Sequence, residues 1–297
     1  KLHRVWDEYL VPLTARTIER SSNDLAIKSE VDLTDIELTL ARLNLHRSVG
    51  PVRRFTGGTS EALRLLAGFL QEKLRGYEHR NEPAAFRCSM LSPYLHFGQI
   101  SPVEIALAAR TASSAGERDR ASFFEELIVR RELAINFCHY HPNYDRYDAI
   151  PDWARKSLDE HRCDPREHNY DIAELIKAET HDAYWNAAMR EMVETGFMHN
   201  YMRMYWAKKV LEWSPTPEAA YATVLSLNNA YFLDGRDPNS FANVGWIFGL
   251  HDRAWFERPI FGKVRYMNAN GLRRKFDMEA YIKVIDQLAQ AEGLDHA

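Results

Sequence analysis

The chain has 297 residues, of which 45% are hydrophobic and 27% are charged. This is the composition of a folded globular protein with a buried core, and it excludes a disordered, collagen-like or membrane-spanning chain. The net charge of −4 offers no overall positive field for nucleic acid, so the distinctive feature is an aromatic content of 12% that includes seven tryptophans.

Helical periodicity and capping residues predict helices along almost the whole chain. A short helix is predicted over 34–43 in an otherwise linker-like region, and Ser60 begins a helix whose apolar positions repeat about every 3.6 residues. Ser101 caps the next helix, with a proline at its first position. Further helices are predicted over 123–138, 182–196 and 198–212 and from Thr216. Because strands and helices never alternate, we predict an all-α fold.

Cysteine usage and hydropathy bear on the cellular compartment. The three cysteines, Cys88, Cys138 and Cys163, form no CxxC pair, so a disulfide framework is not expected. No apolar run approaches the roughly 18 residues of a membrane span, and there is no signal-peptide pattern. We therefore expect a reducing compartment, no membrane association and no secretion. The start at Lys1, without an initiator methionine, leads us to expect a fragment of a longer protein.

One segment departs from the acidic average. Residues 251–276 contain seven lysines or arginines against two acidic residues, with five aromatic residues interleaved. Basic residues mixed with aromatics suit phosphate contacts and base stacking in nucleic-acid binding. A solvated basic face above core aromatics explains the pattern too, and composition alone favours that interpretation.

Common catalytic and metal-binding motifs are absent. The sequence has no GxGxxG or GxxxxGKS/T phosphate loop and no HExxH zinc motif. The cluster over 138–141 lacks a second cluster at zinc spacing, and 234–237 lacks the alternating oxygen ligands of a calcium loop. We therefore expect no metal site.

The helix predicted over 198–212 carries an unusual stripe. His199, Arg203, Trp206 and Trp213 lie within about 80° of arc on one face. A face with a cation, an imidazole and two indoles is not typical of a core. Two core tryptophans beside a surface arginine are the alternative, and periodicity cannot decide between them.

Five segments of sequence carry a resemblance to a known family. They are LSPYLHFGQIS at 91–101, YMRMYWAKK at 201–209, LDGRDPN at 233–239, GKVRYM at 262–267 and RKFD at 274–277. In this order they resemble class II cyclobutane pyrimidine dimer photolyases of the photolyase and cryptochrome family. The resemblance implies an α-helical FAD-binding catalytic domain over 55–297, preceded at 1–54 by a linker and helical remnant. The family's N-terminal α/β antenna domain is expected to be missing from this chain.

The resemblance also implies a function. In that family, light drives an electron from reduced FAD into a flipped-out cyclobutane pyrimidine dimer in DNA, the bonds joining the two bases split, and the electron returns. We therefore expect a deoxyribodipyrimidine photo-lyase that binds dimer-containing DNA, acts as a monomer and lies in the cytoplasm or at the nucleoid, or in the nucleus of a eukaryote. One alternative is a cryptochrome-like blue-light sensor without repair activity. Another is a flavin-free helical module that binds nucleic acid.

Several residues match the family's FAD contacts. Positions that hold the phosphates and ribitol match Tyr77, Ser89, Met90, Leu91 and Ser92, in a hydroxyl-rich loop before a helix start that can offer N–H groups to anions. Arg203 and Asp234 match an ion pair beside the flavin N1/O2 edge, and Gly235 matches a glycine of the same loop. Asp237 matches an adenosine contact, and Asn228 matches the position that faces flavin N5. Three of these matches have a structural alternative. The segment 89–92 suits an ordinary turn and helix cap, Arg203 and Asp234 suit a pair that joins helix to loop, and Asn228 suits an asparagine that ends a helix.

Other residues match contacts to the damaged DNA. Glu126 matches a glutamate that hydrogen-bonds the dimer, and we expect burial to favour its protonated form. A surface pair with Arg130, four residues further along the helix, is the alternative. Met204 and Trp246 match contacts to the dimer, and together with Glu126 they favour repair over sensing. Arg253 and Arg265 match family residues that fill the space left in the duplex by the flipped-out dimer and contact the DNA strand.

The tryptophans match a redox role. Trp206, Trp185 and Trp213 match the family's electron-hopping chain, which reduces oxidised FAD in the light, and we expect Trp206 nearest the flavin and Trp213 outermost, at the surface. A core role for all three is the alternative, and Trp6 and Trp153 are expected to be structural. Asn200 departs from the class II pattern, which usually has glycine at this position.

Overall fold

Fifteen α-helices make up most of the part of the chain that the computed structural model describes, residues 4–12, 25, 31, 34–45 and 47–291. In chain order they are α1 Trp6–Tyr9, α2 Ile36–Arg42, α3 Thr59–Gly68, α4 Ser92–His96, α5 Pro102–Thr111, α6 Glu117–Phe124, α7 Arg131–Tyr140, α8 Asp152–Glu160, α9 Ile172–Ile176, α10 Ala183–Thr195, α11 Asn200–Trp213, α12 Pro217–Tyr231, α13 Pro238–Ile247, α14 Ala269–Lys275 and α15 Met278–Ala291. Strand pairing within these residues is limited to one isolated bridge between Arg258 and Gly262. The predicted all-α fold is confirmed.

Local chemistry explains where the helices begin and end. Asp182 caps α10 by accepting from the backbone N–H groups of Tyr184 and Trp185, and Gly196 ends it with a φ of 68°, a left-handed value that suits glycine. Thr216 caps α12 in the same way. The helix expected from Ser60 begins one residue earlier, at Thr59. The helix predicted over 123–138 is continuous but contains a π-helical turn, Glu125–Arg130, between α6 and α7.

Two apolar cores hold the helices together. The smaller core gathers residues of α3, α5 and α6, together with Tyr77 and Leu91 from the loops. Its surface is covered in part by the chain start, since Trp6 meets the ring of Phe124 at 5.7 Å between ring centres and Leu10 is buried in the same core. The larger core is built mainly from α7 to α15, where α10 packs on both α11 and α15 and α13 packs on α7. No helix in the described ranges is long and apolar enough to span a bilayer.

A buried glutamate supports the start of α11. Glu191 of α10 accepts hydrogen bonds from the hydroxyl of Tyr281 at 2.6 Å and from the backbone N–H of His199, the N-cap of α11, at 3.2 Å. Burial raises the pKa of Glu191 to about 7, although both hydrogen bonds oppose the shift. The start of α11 is therefore held by a carboxyl group that is largely protonated in mildly acidic solution.

This arrangement predicts a dependence of stability on pH. Between the ordinary pKa of 4.5 and about 7, the folded chain holds a proton on Glu191 that the unfolded chain has lost. The contribution of Glu191 to the free energy of unfolding therefore falls as the pH rises through this window. Glu191→Gln keeps a hydrogen-bond acceptor but does not titrate, so its urea midpoint is expected to fall less than that of the wild type between about pH 5 and about pH 8. Equal changes in the two proteins would contradict the assignment.

Candidate active site

One large cavity collects most of the side chains that the sequence singles out. Its volume is about 530 Å³, within the range of small-molecule and cofactor sites. Twelve predicted site residues line it, namely Tyr77, Ser89, Met90, Ser92, Glu126, Arg203, Met204, Trp206, Asn228, Asp234, Asp237 and Trp246. Six lie outside its wall, namely Leu91, Trp185, Trp213, Gly235, Arg253 and Arg265.

A charge pair in the cavity wall joins α11 to the loop after α12. Both terminal nitrogens of Arg203 donate to the carboxylate of Asp234, at 2.9 and 3.1 Å, and its Nε donates to the carbonyl of Met198 at 2.9 Å. The guanidinium also lies 3.8 Å from the ring centre of Phe232. Two parallel hydrogen bonds and a stacked ring hold the pair in one orientation.

Asp234 stays ionised although it is buried. Burial alone would raise the pKa of its carboxyl group, but the charge of Arg203 and hydrogen bonds from Arg203 and Ser92 outweigh burial and hold this pKa below its ordinary value of 3.8. The cavity therefore keeps a paired carboxylate and guanidinium at neutral pH, which avoids the cost of an isolated buried charge.

Gly235 lies outside the cavity wall and packs against the backbone of a residue in it. Its amide donates to the carbonyl of Phe232 at 2.9 Å, and a Cβ at this position would lie 2.8 Å from the carbonyl oxygen of Asn228. The side chain of Asn228 lines the cavity and donates its amide N–H to Asn229 at 3.0 Å. That bond leaves the amide oxygen of Asn228 as the group available to accept from a ligand. Gly235 thus allows the close approach that places Asn228.

A glycine comparison tests this packing. Gly235→Ala forces a Cβ against backbone atoms that cannot rotate away, so we expect it to lower the free energy of unfolding by about 1–3 kcal/mol. At Gly68 in α3, a Cβ meets nothing within 4 Å, so Gly68→Ala is expected to be neutral or to stabilise the protein by up to about 1 kcal/mol. Urea unfolding of both variants measures the difference. Equal free energies in the two variants would contradict the close approach at Gly235.

The segment before α4 presents small polar groups to the cavity. Met90 has a φ of 60°, an unusual left-handed value for a residue with a side chain. Leu91 is 1% exposed and packs into the smaller core, so it anchors the segment from behind while Ser89 and Ser92 line the cavity. Because α4 has only five residues, its dipole is small, and the groups that this segment offers to a ligand are its hydroxyls and loop N–H groups.

Glu126 does not form the pair with Arg130 that its spacing allows. In the π-helical turn Glu125–Arg130, residues five apart align, and Arg130 pairs with Glu125 at 3.1 Å. Glu126 instead accepts from Arg80 at 2.6 Å. Its side chain is 37% exposed, so the burial expected for Glu126 is not found. Arg80 holds a partly exposed carboxylate at the cavity wall.

Trp246 connects the cavity to the basic segment over 251–276. Its ring lies 5.3 Å from the guanidinium of Arg265, which also lies 4.0 Å from the ring of Trp255. Arg265 donates from Nε to Asp252 at 3.0 Å, and the guanidinium of Arg253 is 4.9 Å from Trp255. The two predicted DNA-contacting arginines thus lie outside the cavity, and Arg265 contacts the tryptophan in its wall.

The three tryptophans of the predicted electron chain form a connected row. Trp206 lines the cavity, and its carbonyl accepts from the indole N–H of Trp185 at 2.9 Å. The rings of Trp185 and Trp213 are 5.3 Å apart between centres. Trp213 is only 3% exposed, beneath Tyr170 and His181, whose rings lie 5.1 and 5.3 Å from it. The expectation of an outermost tryptophan at the surface is therefore not met.

Three cations of the wall, Arg80, Arg130 and Arg131, and several of its amides were not predicted from the sequence. Arg80 contacts Glu126, and its guanidinium lies 5.2 Å from the ring of Tyr77, three residues earlier, so proximity to an assigned residue was the available signal. Four asparagines also line the cavity, Asn81, Asn200, Asn239 and Asn243. Asn239 and Asn243 lie four residues apart on α13, whereas Asn81 lies in a turn and Asn200 begins α11. Within the described ranges, no group of three or more His, Cys, Asp and Glu side chains is placed to hold a metal ion.

Comparison with solved structures places this helical arrangement in the fold of the photolyases. A class III photolyase from Agrobacterium tumefaciens matches 81% of the chain with a TM-score of 0.60 and 22% identity, over 51% of its own length. An archaeal photolyase from Sulfolobus tokodaii, solved with two FAD molecules, matches 83% of the chain with a TM-score of 0.57 and 20% identity, over 52% of its own length.

Sequence comparison gives the family. A deoxyribodipyrimidine photo-lyase from Methanothermobacter thermautotrophicus is 50% identical over 283 residues, which are 95% of this chain and 61% of that protein. The chain belongs to the photolyase and cryptochrome family. It spans between half and about three fifths of the length of these relatives. No family model matches the chain.

Proposed function

We propose that this chain binds FAD in the cavity and uses light to repair cyclobutane pyrimidine dimers in DNA, as a class II deoxyribodipyrimidine photo-lyase. One observation carries the proposal. A single cavity wall combines the Arg203–Asp234 ion pair and Trp206 with a second group, Glu126 and Trp246, that suits a nucleobase ligand. The similarity to a photo-lyase along 95% of the chain supports the same function.

The polar groups of the wall fit a flavin dinucleotide. The hydroxyls of Ser89 and Ser92 suit phosphate and ribitol oxygens, the guanidinium of Arg203 suits an electron-rich ring edge, and the amide oxygen of Asn228 suits a ring N–H group. Bound FAD would supply the light absorption and the electron, neither of which the side chains can provide.

Arg203 would favour the anionic state of the bound cofactor. A positive charge at ~4 Å from a negative one contributes about 4 kcal/mol at an effective dielectric constant near 20. Asp234 keeps the guanidinium in place and reduces its net charge, so the pair favours an anion without leaving Arg203 isolated when the cavity is empty.

The DNA side of the site would accept an extruded dimer. Trp246 offers a ring for stacking, and Met204 lines the same cavity. A dimer pairs and stacks poorly with its neighbours in the duplex, so its extrusion costs less than that of normal bases. Arg265 lies beside Trp246 and Arg253 lies beside Trp255 on the basic segment, where both arginines would contact the strand around the vacated position.

Substitution of Trp246 tests the stacking role. Trp246→Ala is expected to raise the Kd for a thymine-dimer duplex by about 5- to 150-fold, since stacking of a base on an aromatic side chain contributes about 1–3 kcal/mol. Trp246→Phe keeps an aromatic ring and is expected to stay close to the wild type. Fluorescence anisotropy gives both constants, with undamaged duplex and retained flavin as controls. Unchanged dimer binding in the alanine variant would contradict the assignment.

Domain organisation and assembly complete the proposal. We assign residues 55–297 to the catalytic domain and residues 1–54 to a linker with a helical remnant, and we propose that the protein acts as a monomer on cellular DNA at the nucleoid or in the nucleus. A cryptochrome-like sensor would use the same cofactor and tryptophans but would have no need of dimer binding. Tighter binding of dimer duplex than of undamaged duplex by the FAD-loaded chain therefore separates the two functions.

A further inference from the structure

A fully buried lysine, Lys208, lies next to Trp246, the ring on which the dimer is proposed to stack. Lys208 of α11 has no solvent exposure, and its Nζ lies 5.4 Å from the ring centre of Trp246. Burial lowers the pKa of Lys208 to about 7, an effect that Arg265 increases and Asp252 opposes. Burying an amine is costly, whereas a methionine would fill similar space without that cost. A lysine at this position therefore calls for a specific partner.

The partner is the last carbonyl of α13. At this helix end, the amides of residues 248–250 donate to the carbonyls of Gly245 and Trp246. The next carbonyl, that of Ile247, accepts from Nζ of Lys208. Terminal helix carbonyls have no partner within their own helix, so this bond satisfies a buried acceptor and ties the end of α13 to α11.

The same amine acts on the indole of the preceding residue. Two basic side chains lie against the ring of Trp246, Lys208 at 5.4 Å and Arg265 at 5.3 Å. Arg265 is itself held by Asp252 at 3.0 Å. Lys208 thus holds the backbone carbonyl of the residue after Trp246 and also packs against the Trp246 ring. Lys208 itself does not line the cavity.

We propose that Lys208 is a positioning residue that fixes the indole of Trp246, and through it the surface offered to an extruded pyrimidine dimer. The proposal rests on the function proposed above. Lys208 acts on the affinity for damaged DNA, whereas the cofactor contacts of Arg203 and Asp234 are independent of it. Lys209 provides a comparison, because it is a neighbouring, largely buried lysine that faces Tyr205 and Trp213 at 5.9 and 5.7 Å.

Three variants of the full FAD-loaded chain test the proposal by binding. Lys208→Met is expected to raise the Kd for a thymine-dimer duplex about tenfold, while the Kd for undamaged duplex and the retained flavin stay unchanged. Lys208→Gln restores a donor for the Ile247 carbonyl and is expected to recover most of the affinity. Lys209→Met should bind the dimer like the wild type. Wild-type dimer affinity in Lys208→Met, or equal loss for both duplexes, would overturn the proposal.

A second measurement does not depend on DNA. Among the indole N–H resonances of the ¹⁵N-labelled protein, that of Trp246 is assigned by its loss in Trp246→Phe. We expect this resonance to shift or broaden in Lys208→Met and to keep its position in Lys209→Met. An unchanged Trp246 resonance in Lys208→Met would overturn the positioning role. If the wild type does not distinguish dimer from undamaged duplex, the proposed function fails, and the indole resonance still decides the role of Lys208.

Discussion

Arg203→Ala is expected to purify with less than about one tenth of the flavin that the wild type retains. The substitution removes two hydrogen bonds to Asp234 and leaves a buried carboxylate without its counter-charge. A cation at ~4 Å from the negative charge of the cofactor contributes about 4 kcal/mol at an effective dielectric constant near 20, and every 1.4 kcal/mol is about tenfold in an equilibrium constant. The remaining charge also repels an anionic cofactor. Absorption between the near ultraviolet and blue, together with the flavin released on heating, measures retention.

A matched control separates this effect from a general loss of ion pairs. Arg190 on α10 pairs with Asp286 on α15 at 2.7 Å, and neither residue lines the cavity. Arg190→Ala is expected to retain wild-type flavin and to lose little stability, because both side chains of the pair are partly exposed. Equal flavin content in Arg203→Ala and Arg190→Ala would show that the Arg203–Asp234 pair does not hold the cofactor.

Trp206→Phe is expected to abolish photoreduction of oxidised FAD while chemically reduced protein still repairs dimers at close to the wild-type rate. Trp206 is the member of the row that lines the cavity, and the backbone bond from Trp185 joins it to the next indole. Phenylalanine fills most of the space but is much harder to oxidise than an indole, so the row loses its first carrier. Flavin absorbance followed under blue light with an external reductant measures photoreduction.

A tryptophan outside the row serves as the control. Trp153 packs on the larger core near Gly249 and lies outside the cavity wall. Trp153→Phe is expected to leave photoreduction unchanged, whereas normal photoreduction in Trp206→Phe would remove the redox role from the row. Loss of both photoreduction and repair in Trp206→Phe would instead point to damage to the cavity itself.

The sequence predicts the helices well because their signals are local. Caps such as Asp182 and Thr216 and the terminating Gly196 lie at the positions where the described helices begin and end. The π-helical turn around Glu126 was not predicted from the sequence. That turn changes the partner of Glu126 from a residue on the same helix to Arg80, 46 residues earlier.

The site depends on contacts that no spacing rule encodes. Arg203 and Asp234 are 31 residues apart, and only their match to a known family brought them together before the structure did. The close approach at Gly235 and the buried amine of Lys208 had no signal in the sequence, because both depend on the packing of one helix end against another element. Trp213 was expected at the surface, but Tyr170 and His181 cover it from other parts of the chain.

Repair under light tests the central claim most directly. The FAD-loaded, chemically reduced chain is mixed with an oligonucleotide that contains one thymine dimer, and restored thymines are counted by chromatography after blue light or after an equal time in the dark. The proposed function predicts restoration that depends on light and rises with the light dose. Restoration no faster in the light than in the dark, by protein that retains its flavin, would contradict it.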